Sequence, residues 1–120
     1  STGGASRFFQ QFHPDPFIYC SKASRRDRSA NGTVENTHPT TKNTALISYF
    51  CKLICPEGGI ILDPFFGSGT LGVSAIQNGF HFIGIEQSLE YCTIAQARID
   101  HARTEHDRQE VAPPSLWDGV

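Results

Sequence analysis

The chain of 120 residues carries 10 lysines and arginines against 12 aspartates and glutamates, and 38% of its residues are hydrophobic. These proportions are typical of one small globular domain; they exclude an intrinsically disordered chain and give no overall positive charge that would attract nucleic acid. No apolar run approaches the roughly 20 residues of a membrane-spanning helix, and the first residues lack a secretory pattern, so we expect no membrane partner and a cytoplasmic location.

Residues 1–38 are predicted to form a hairpin or loop region. A turn at residues 13–16 would precede a strand over residues 17–20, and residues 24–37 are predicted to be an exposed loop. Four cations lie close together in this region, namely Lys22, Arg25, Arg26 and Arg28. Such a cluster can bind DNA phosphates, although it is more often a solvated loop, and both interpretations stay open.

The middle of the chain alternates between the patterns of helices and strands. Apolar residues at helical spacing predict helices, and short apolar runs predict strands buried on both faces. The predicted elements, in chain order, are a helix over residues 44–55, a strand over 60–62, a helix over 71–78, a strand over 82–85 and a helix over 89–103. This order is typical of an α/β unit with a parallel sheet, which we assign to residues 39–103. Residues 104–120 are predicted to be a polar, extended tail.

A glycine-rich turn follows the first predicted strand, and an acid follows the second. The carboxyl ends of adjacent parallel strands meet at one edge of a sheet, where open α/β sheets bind ligands, so Asp63 and Glu86 are expected to lie there together. The glycines let the backbone approach a ligand, and an acid in this place accepts hydrogen bonds from ribose hydroxyls. The pattern predicts a site for a nucleoside-bearing cofactor, and the alternative is a structural turn beside a surface acid.

The residues around the glycines narrow the choice of cofactor. We take the dinucleotide-binding fingerprint G-x-G-x-x-G to be absent, because Gly67-Ser68-Gly69 follows residues 63–66 and runs into Thr70-Leu71-Gly72. The absence of a following lysine excludes a triphosphate-binding loop. The carboxylate of Asp63 suits a cofactor with a cationic amino-acid end better than it suits a pyrophosphate. S-adenosylmethionine, with its ribose, ammonium and sulfonium, meets these requirements.

Two motifs resemble those of the DNA amino-methyltransferases, which act on N6 of adenine or N4 of cytosine. Residues 63–70, DPFFGSGT, closely resemble the DPF-x-GSGT cofactor motif of that family, and residues 36–42, NTHPTTK, resemble its N-x-HPT-x-K motif. The motifs stand in the permuted, β-class order. The resemblance covers residues 5–103 and implies a partial Rossmann-like, S-adenosylmethionine-dependent methyltransferase fold with parallel strands and flanking helices.

The resemblance also implies a set of cofactor-binding residues. Those expected around the methionine portion are Asp63, Phe65, Gly67, Ser68, Gly69 and Thr70. Thr40 and Lys42 would close the same pocket, and Glu86 would bind the ribose. An alternative to a cofactor-binding role for Lys42 is that it is simply an exposed lysine at the start of a helix. Asn43 departs from the family pattern, which usually has proline there.

The family's catalytic loop has no counterpart in the sequence. Related enzymes flip the target base out of the duplex and hold it with a (D/N/S)-P-P-(Y/F/W) loop, and the nearest string here is Asp15-Pro16-Phe17. We therefore assign no catalytic residue and expect this loop N-terminal to Ser1. The chain is interpreted as part of a site-specific methyltransferase of double-stranded DNA, completed by a missing half or by self-association.

Two alternative functions remain. The chain could bind S-adenosylmethionine without catalysis of its own, or it could belong to a methyltransferase of RNA, protein or a small molecule, which the HPT-x-K motif disfavours. The cysteines show no close-paired spacing, so we expect free thiols and no metal site. The alternative is a zinc site formed by Cys51 and Cys55 with His13 or His38. His38 is expected to structure its turn rather than to act as a general base.

Overall fold

The structure is a computed structural model that describes residues 19–111. Its elements are, in chain order, α1 (Arg25–Arg28), α2 (Thr44–Ile54), β1 (Ile60–Asp63), α3 (Thr70–Gln77), β2 (His81–Gly84) and α4 (Leu89–Val111). This order confirms the predicted α/β unit. The strand predicted over residues 17–20 lies partly outside the described residues, and its last two residues, Tyr19 and Cys20, have no regular secondary structure.

The two strands pair in parallel, as predicted. Ile61 aligns with Phe82, and Asp63 aligns with Gly84. The pairing continues beyond the strands, because the Ile85 N–H donates to the Asp63 carbonyl at 2.9 Å. The carboxyl ends of both strands therefore lie at the same edge of the sheet, next to the turn that leads into α3.

The core lies between the helices and one face of the sheet. One cluster of buried residues consists of Cys51, Cys55, Ile61, Ala75 and Phe80. A second apolar surface comes from α4, which packs against α3 and buries Ile94, Ala95, Ile99 and Ala102. The four cysteines are free, as expected, and burial raises the pKa of the Cys51 thiol. Cys51 is thus a neutral core residue.

The prediction that both strands are buried on both faces is wrong. Ile61 is 9% exposed, whereas its neighbours Ile60 and Leu62 are 69% and 60% exposed, and Ile83 on β2 is 55% exposed. Alternate residues of a strand point to opposite faces, so one face of the sheet is covered and the other, formed by Ile60, Leu62, Ile83 and Ile85, is open. We call this second face the open sheet face.

Two further predictions of local structure are wrong. The loop predicted over residues 24–37 contains the single turn of α1, which Ser24 caps by accepting a hydrogen bond from the Asp27 N–H at 3.1 Å. The polar tail predicted from residue 104 is helical as far as Val111, where α4 ends. Ion pairs one turn apart support this extension, including Arg108 with Glu105 at 2.8 Å.

Within residues 19–111, no helix combines the length and the apolar character that crossing a membrane requires.

Candidate functional site

The turn between β1 and α3, residues 64–69, requires glycine at two positions. We call it the glycine turn. Gly67 and Gly69 have φ angles of 55° and 78°, a region that other residues rarely adopt. A Cβ atom on Gly67 would lie 2.9 Å from Nε2 of His38, and one on Gly69 would lie 2.9 Å from the Cβ of Ala95. The turn is therefore held between the 36–42 segment on one side and α4 on the other.

Glu86 lies directly against the glycine turn, as its predicted role requires. Its Oε2 accepts a hydrogen bond from the Gly67 N–H at 2.8 Å, and its Oε1 accepts one from the Ser88 N–H at 2.9 Å. These backbone donors, Ser88 first and Gly67 second, lower the pKa of Glu86. The carboxylate is ionised at neutral pH, and each oxygen keeps an unused lone pair for a further hydrogen bond.

Residues 36–42, which we call the HPT segment, form a compact turn beside Glu86. The His38 ring packs edge-on against Tyr91, with ring centroids 4.4 Å apart. His38 Nδ1 accepts a hydrogen bond from the Thr40 N–H at 3.3 Å, and the Asn36 side chain accepts one from the His38 N–H at 2.9 Å. Burial lowers the pKa of His38, with Glu86 opposing this effect. The ring is therefore neutral with its proton on Nε2, in keeping with the expectation that it structures the turn.

The two predicted motifs meet at their polar side chains. Thr41 Oγ1 lies 3.2 Å from Ser68 Oγ, and the Thr70 hydroxyl donates to the Lys42 carbonyl at 3.4 Å. Between them is a hollow of about 140 Å³. Seven of the nine predicted cofactor residues line this hollow: Thr40, Lys42, Asp63, Phe65, Gly67, Ser68 and Thr70. The other two, Gly69 and Glu86, lie outside its lining.

The hollow has a buried floor and an exposed rim. Gly67, Ser68 and Thr70 are buried, whereas Thr40, Lys42 and Phe65 are exposed, Phe65 to 88%. Its volume is below the roughly 300–1,000 Å³ of typical small-molecule sites, so it could hold only part of a cofactor. The rest of a nucleoside would have to lie along the open strand ends towards Glu86.

Asp63 and Lys42 supply opposite charges at this rim. Asp63 Oδ1 accepts a hydrogen bond from the Phe65 N–H at 3.0 Å, which fixes the start of the glycine turn. Lys42 is exposed, and within the described residues its ammonium has no ion-pair partner. A zwitterionic amino-acid group could therefore find a cation and an anion at one rim.

Sequence reasoning missed Arg98, a charged residue buried beneath the glycine turn. Its side chain is 1% exposed, and its Nη1 donates to the Ser68 carbonyl at 2.8 Å and to the Thr70 hydroxyl at 3.0 Å. Its Nη2 faces Asp27 of α1. The available signal was its position among the apolar residues of α4, since Ile94, Ala95, Ile99 and Ala102 share its buried face.

The predicted basic cluster does not act as one surface in the structure. Arg28 is partly buried, and its Nη2 donates to the His38 carbonyl at 3.0 Å and to the Asn36 carbonyl at 3.4 Å. Arg26 Nε donates to the Asn31 side chain, while Lys22 and Arg25 are exposed. Arg28 thus supports the HPT segment, and phosphate binding by these four residues stays a prediction.

Among the described residues, one group of three side chains has the spacing of metal ligands. It consists of His106, Asp107 and Glu110 near the end of α4, and it is largely exposed. The group lies away from the hollow and does not contain Cys51, Cys55 or His38. An exposed acidic group on a helix surface carries no argument for a metal site.

Comparison with known proteins identifies the family. The sequence profile of the family described as DNA methylase, whose members modify N6 or N4 amino groups, matches residues 7–97. The chain belongs to the DNA methylase family. This confirms the resemblance drawn from the motifs at residues 36–42 and 63–70.

Curated relatives of this DNA methylase chain are similar over a limited span. It is 46% identical to the type II methyltransferase M2.DpnII of Streptococcus pneumoniae over 63 residues, which are 52% of the chain and 24% of the relative. It is 41% identical to the DNA adenine methyltransferase YhdJ of Escherichia coli strain K12 over 75 residues, which are 62% of the chain and 25% of the relative. The chain thus spans about a quarter of the length of these relatives.

Solved structures confirm the fold of the DNA methylase chain. The crystal structure of the M1.HpyAVI–SAM complex matches with a TM-score of 0.60 and 28% identity, covering 78% of this chain and 44% of that one. The PvuII DNA methyltransferase, which is cytosine-N4-specific, matches with a TM-score of 0.51 and 19% identity, covering 73% and 33% respectively. The partial Rossmann-like methyltransferase fold predicted from the sequence is therefore confirmed.

One step of the sequence argument needs correction. Gly67, Gly69 and Gly72 do reproduce the G-x-G-x-x-G spacing of dinucleotide-binding folds. Gly72 is needed for packing, because a Cβ there would lie 2.8 Å from the Phe66 ring and 3.1 Å from Ile99. Glycine spacing alone therefore does not separate the two cofactor classes, and the family match makes the distinction.

Proposed function

We propose that the chain is the cofactor-binding part of a site-specific DNA methyltransferase. The parent activity is transfer of a methyl group from S-adenosylmethionine to the exocyclic amino group of adenine (N6) or cytosine (N4) in double-stranded DNA. The observation that carries the proposal is the placement of Glu86 against the Gly67 N–H, at 2.8 Å, beside a hollow lined by both motifs.

The chemistry of the hollow fits S-adenosylmethionine. The ammonium of Lys42 would pair with the cofactor's carboxylate, and Asp63 would face its amino group. The ionised Glu86 would accept hydrogen bonds from the ribose hydroxyls. The bound cofactor supplies an electrophilic methyl group on its sulfonium, and the role of these residues is to hold that methyl group at the open edge of the sheet.

Adenine is the favoured target base. The 41%-identical relative is named as a DNA adenine methyltransferase, whereas the cytosine-N4-specific structure is only 19% identical and supports the fold alone. A comparison of methylation on duplexes with adenine or cytosine in the recognition sequence would decide between the two bases once that sequence is known.

The rest of a catalytic unit must cover the open sheet face. Ile60, Leu62 and Ile83 are each more than half exposed, and apolar surface of this kind is stabilised by burial against further structure. We propose that the remaining part of a longer protein, or a second copy of the chain, covers it. The free cysteines favour a cytoplasmic location.

Calorimetric titration of S-adenosylmethionine into the purified chain tests cofactor binding. We expect measurable binding by the natural chain and little by Glu86→Ala. Glu57→Ala is the matched control, because Glu57 is an exposed acid before β1 and lies outside the hollow. Circular dichroism of each variant would establish that it is folded. Absence of binding by the folded natural chain, or equal affinity in Glu86→Ala, contradicts the proposal.

A second experiment separates the methyltransferase from a binding module without catalysis. Duplex DNA and cofactor carrying a labelled methyl group are incubated with the chain. Because the sequence has no (D/N/S)-P-P-(Y/F/W) loop, we expect cofactor binding without labelled DNA from the chain alone. Labelled DNA would show that another segment holds the target base. Label appearing on RNA or protein instead would favour a different substrate class.

A further inference from the structure

Arg98 is the largest fully buried side chain among the described residues, with 1% of it exposed. A buried charge is strongly destabilising unless hydrogen bonds and an opposite charge compensate it. Nη1 donates to the carbonyl and hydroxyl oxygens of Ser68 at 2.8 and 3.2 Å and to the Thr70 hydroxyl at 3.0 Å. Only Nε lacks a partner. Nη1 is thus directed at the glycine turn and its junction with α3.

The other end of the guanidinium is anchored by Asp27. Nη2 donates to the Asp27 carbonyl at 3.2 Å and lies 3.6 Å from its carboxylate. That carboxylate also accepts hydrogen bonds from the Thr44 N–H, at 3.0 Å, and from the Thr44 hydroxyl. Asp27 therefore connects α1, the first residue of α2 and Arg98. This compensates the buried charge and fixes the direction in which Arg98 points.

Arg98 determines the direction of the hydrogen bonds between the two motifs. A guanidinium donates and cannot accept, so the Ser68 hydroxyl accepts from Arg98 and has its own proton left to donate. The Thr41 hydroxyl donates to the His38 carbonyl at 3.3 Å, so Thr41 accepts the proton of Ser68 across their 3.2 Å contact. The order of donation runs from Arg98 through Ser68 and Thr41 to His38.

The Thr70 hydroxyl is used in the same way. It accepts from Arg98 and donates to the Lys42 carbonyl at 3.4 Å. Neither Ser68 nor Thr70 has a hydroxyl proton left for a ligand. The backbone N–H of Ser68, two residues before α3, makes no hydrogen bond within residues 19–111 and is left to donate to a ligand.

We propose that Arg98 is a positioning residue of the cofactor site, which it orders by orienting the hydroxyls of Ser68 and Thr70 so that they hold the HPT segment. This inference rests on the proposed function for its effect on cofactor binding. It assigns the side chains of Ser68 and Thr70 to holding the two motifs together, and it leaves the Ser68 backbone N–H for the cofactor, because the other N–H groups of the glycine turn already donate hydrogen bonds. Asp27 acts through Arg98.

Arg98→Lys is the decisive variant, because it keeps the charge and loses the planar fork that reaches Ser68, Thr70 and Asp27 together. The matched control is Arg103→Lys on the same helix, where the arginine is 59% exposed and has only a weak contact with Asp100. Cofactor affinity is measured by calorimetry at a temperature where circular dichroism shows every variant folded. We expect Arg98→Lys to weaken binding at least about tenfold and Arg103→Lys to leave it unchanged.

Hydrogen–deuterium exchange on the unliganded chain supplies a readout that does not depend on the cofactor. We expect Arg98→Lys to speed exchange in residues 36–42 as well as in residues 67–70, since the motifs are connected through Ser68. If the natural chain fails to bind S-adenosylmethionine, the proposed function is wrong, and the exchange data still test the positioning role. Unchanged exchange in residues 36–42 overturns the inference.

Ser68→Ala keeps the inference testable if Arg98→Lys does not fold. This variant removes the hydroxyl between Arg98 and Thr41 but leaves the Ser68 carbonyl in place. We expect faster exchange in residues 36–42, which a serine that only contacted the cofactor would not affect. Normal exchange there in Ser68→Ala contradicts the proposed order of hydrogen bonds.

Discussion

Replacing Gly69 by alanine would destabilise the chain through two separate effects. The φ angle of 78° places Gly69 in the left-handed region, which costs other residues about 1–2 kcal/mol. The new Cβ would also lie 2.9 Å from the Cβ and 3.1 Å from the Cα of Ala95 in α4, and such overpacking costs about 1–3 kcal/mol. We expect the free energy of unfolding to fall by about 2–5 kcal/mol.

Gly79→Ala is the matched control for this prediction. Gly79 has a similar φ angle of 72°, but nothing lies within 4 Å of a Cβ placed there. It shares the backbone cost of about 1–2 kcal/mol and lacks the steric one. Thermal unfolding followed by circular dichroism measures both variants, and we expect the melting temperature of Gly69→Ala to be lower by roughly 5–20 °C than that of Gly79→Ala.

A double variant tests whether α4 causes the difference. Ala95→Gly removes the nearest atom, so combining it with Gly69→Ala should recover part of the lost stability, as a coupling between the two positions. Melting temperatures of Gly69→Ala and Gly79→Ala that agree would refute the reasoning. They would mean that α4 does not press on the glycine turn.

Three further predictions concern other parts of the fold. Because burial lowers the pKa of His38 below 6.5, the unfolded chain binds more protons just below that pH, so stability should decline as the pH falls through this range. Urea unfolding across that pH range should show a smaller decline in the free energy of unfolding for His38→Asn than for the natural chain. Equal declines in the two proteins would count against a neutral His38. Asn43→Ala should lower the free energy of unfolding by about 1 kcal/mol, because the Asn43 side chain caps α2, while Asn43→Asp should keep most of the stability in the same urea assay. Ile83→Lys on the open sheet face should keep the fold and reduce association in sedimentation velocity, whereas Ile61→Lys should unfold the chain. Loss of folding in both isoleucine variants would show that the face is covered.

Local sequence pattern is enough to place the elements of the α/β unit. The helix predicted over residues 44–55 is observed as Thr44–Ile54, and the strand predicted over residues 60–62 is observed as Ile60–Asp63. Both are short and bounded by turn-forming residues, so local preference and tertiary structure agree. Comparing motifs did not reveal the role of Asn43. This residue stands where the family usually has proline, and its side chain caps α2 by accepting hydrogen bonds from backbone N–H groups of the first turn.

The errors arise where tertiary context decides. An apolar run such as residues 60–62 indicates a strand but not how many of its faces are covered, which depends on neighbouring structure. The polar residues after Arg103 have no apolar period to reveal a helix, yet ion pairs such as Arg108 with Glu105, at 2.8 Å, lie along one. The single turn of α1 is too short to produce a periodic pattern.

The site was predictable as a set of motif residues but not as a network. Gly67 and Glu86 are separated by 19 positions, and only the parallel pairing of the strands brings them together. Arg98 is a further 30 positions beyond Ser68, outside both motifs. Its place among the apolar residues of α4 indicates burial, but its hydrogen-bond partners follow from the way α4 packs on α3, which no local pattern encodes.

The two contacts that hold the glycine turn also limit where the pocket can be redesigned. His38 packs closely against Gly67, and Ala95 packs closely against Gly69. The floor of the hollow therefore cannot be deepened for an enlarged cofactor analogue without moving a neighbouring segment. Among the described residues that line the hollow, room for added bulk exists at the solvent-facing side chains, above all the 88%-exposed Phe65. Engineering of altered alkyl-donor specificity in this scaffold would therefore start at the mouth of the pocket and leave its base intact.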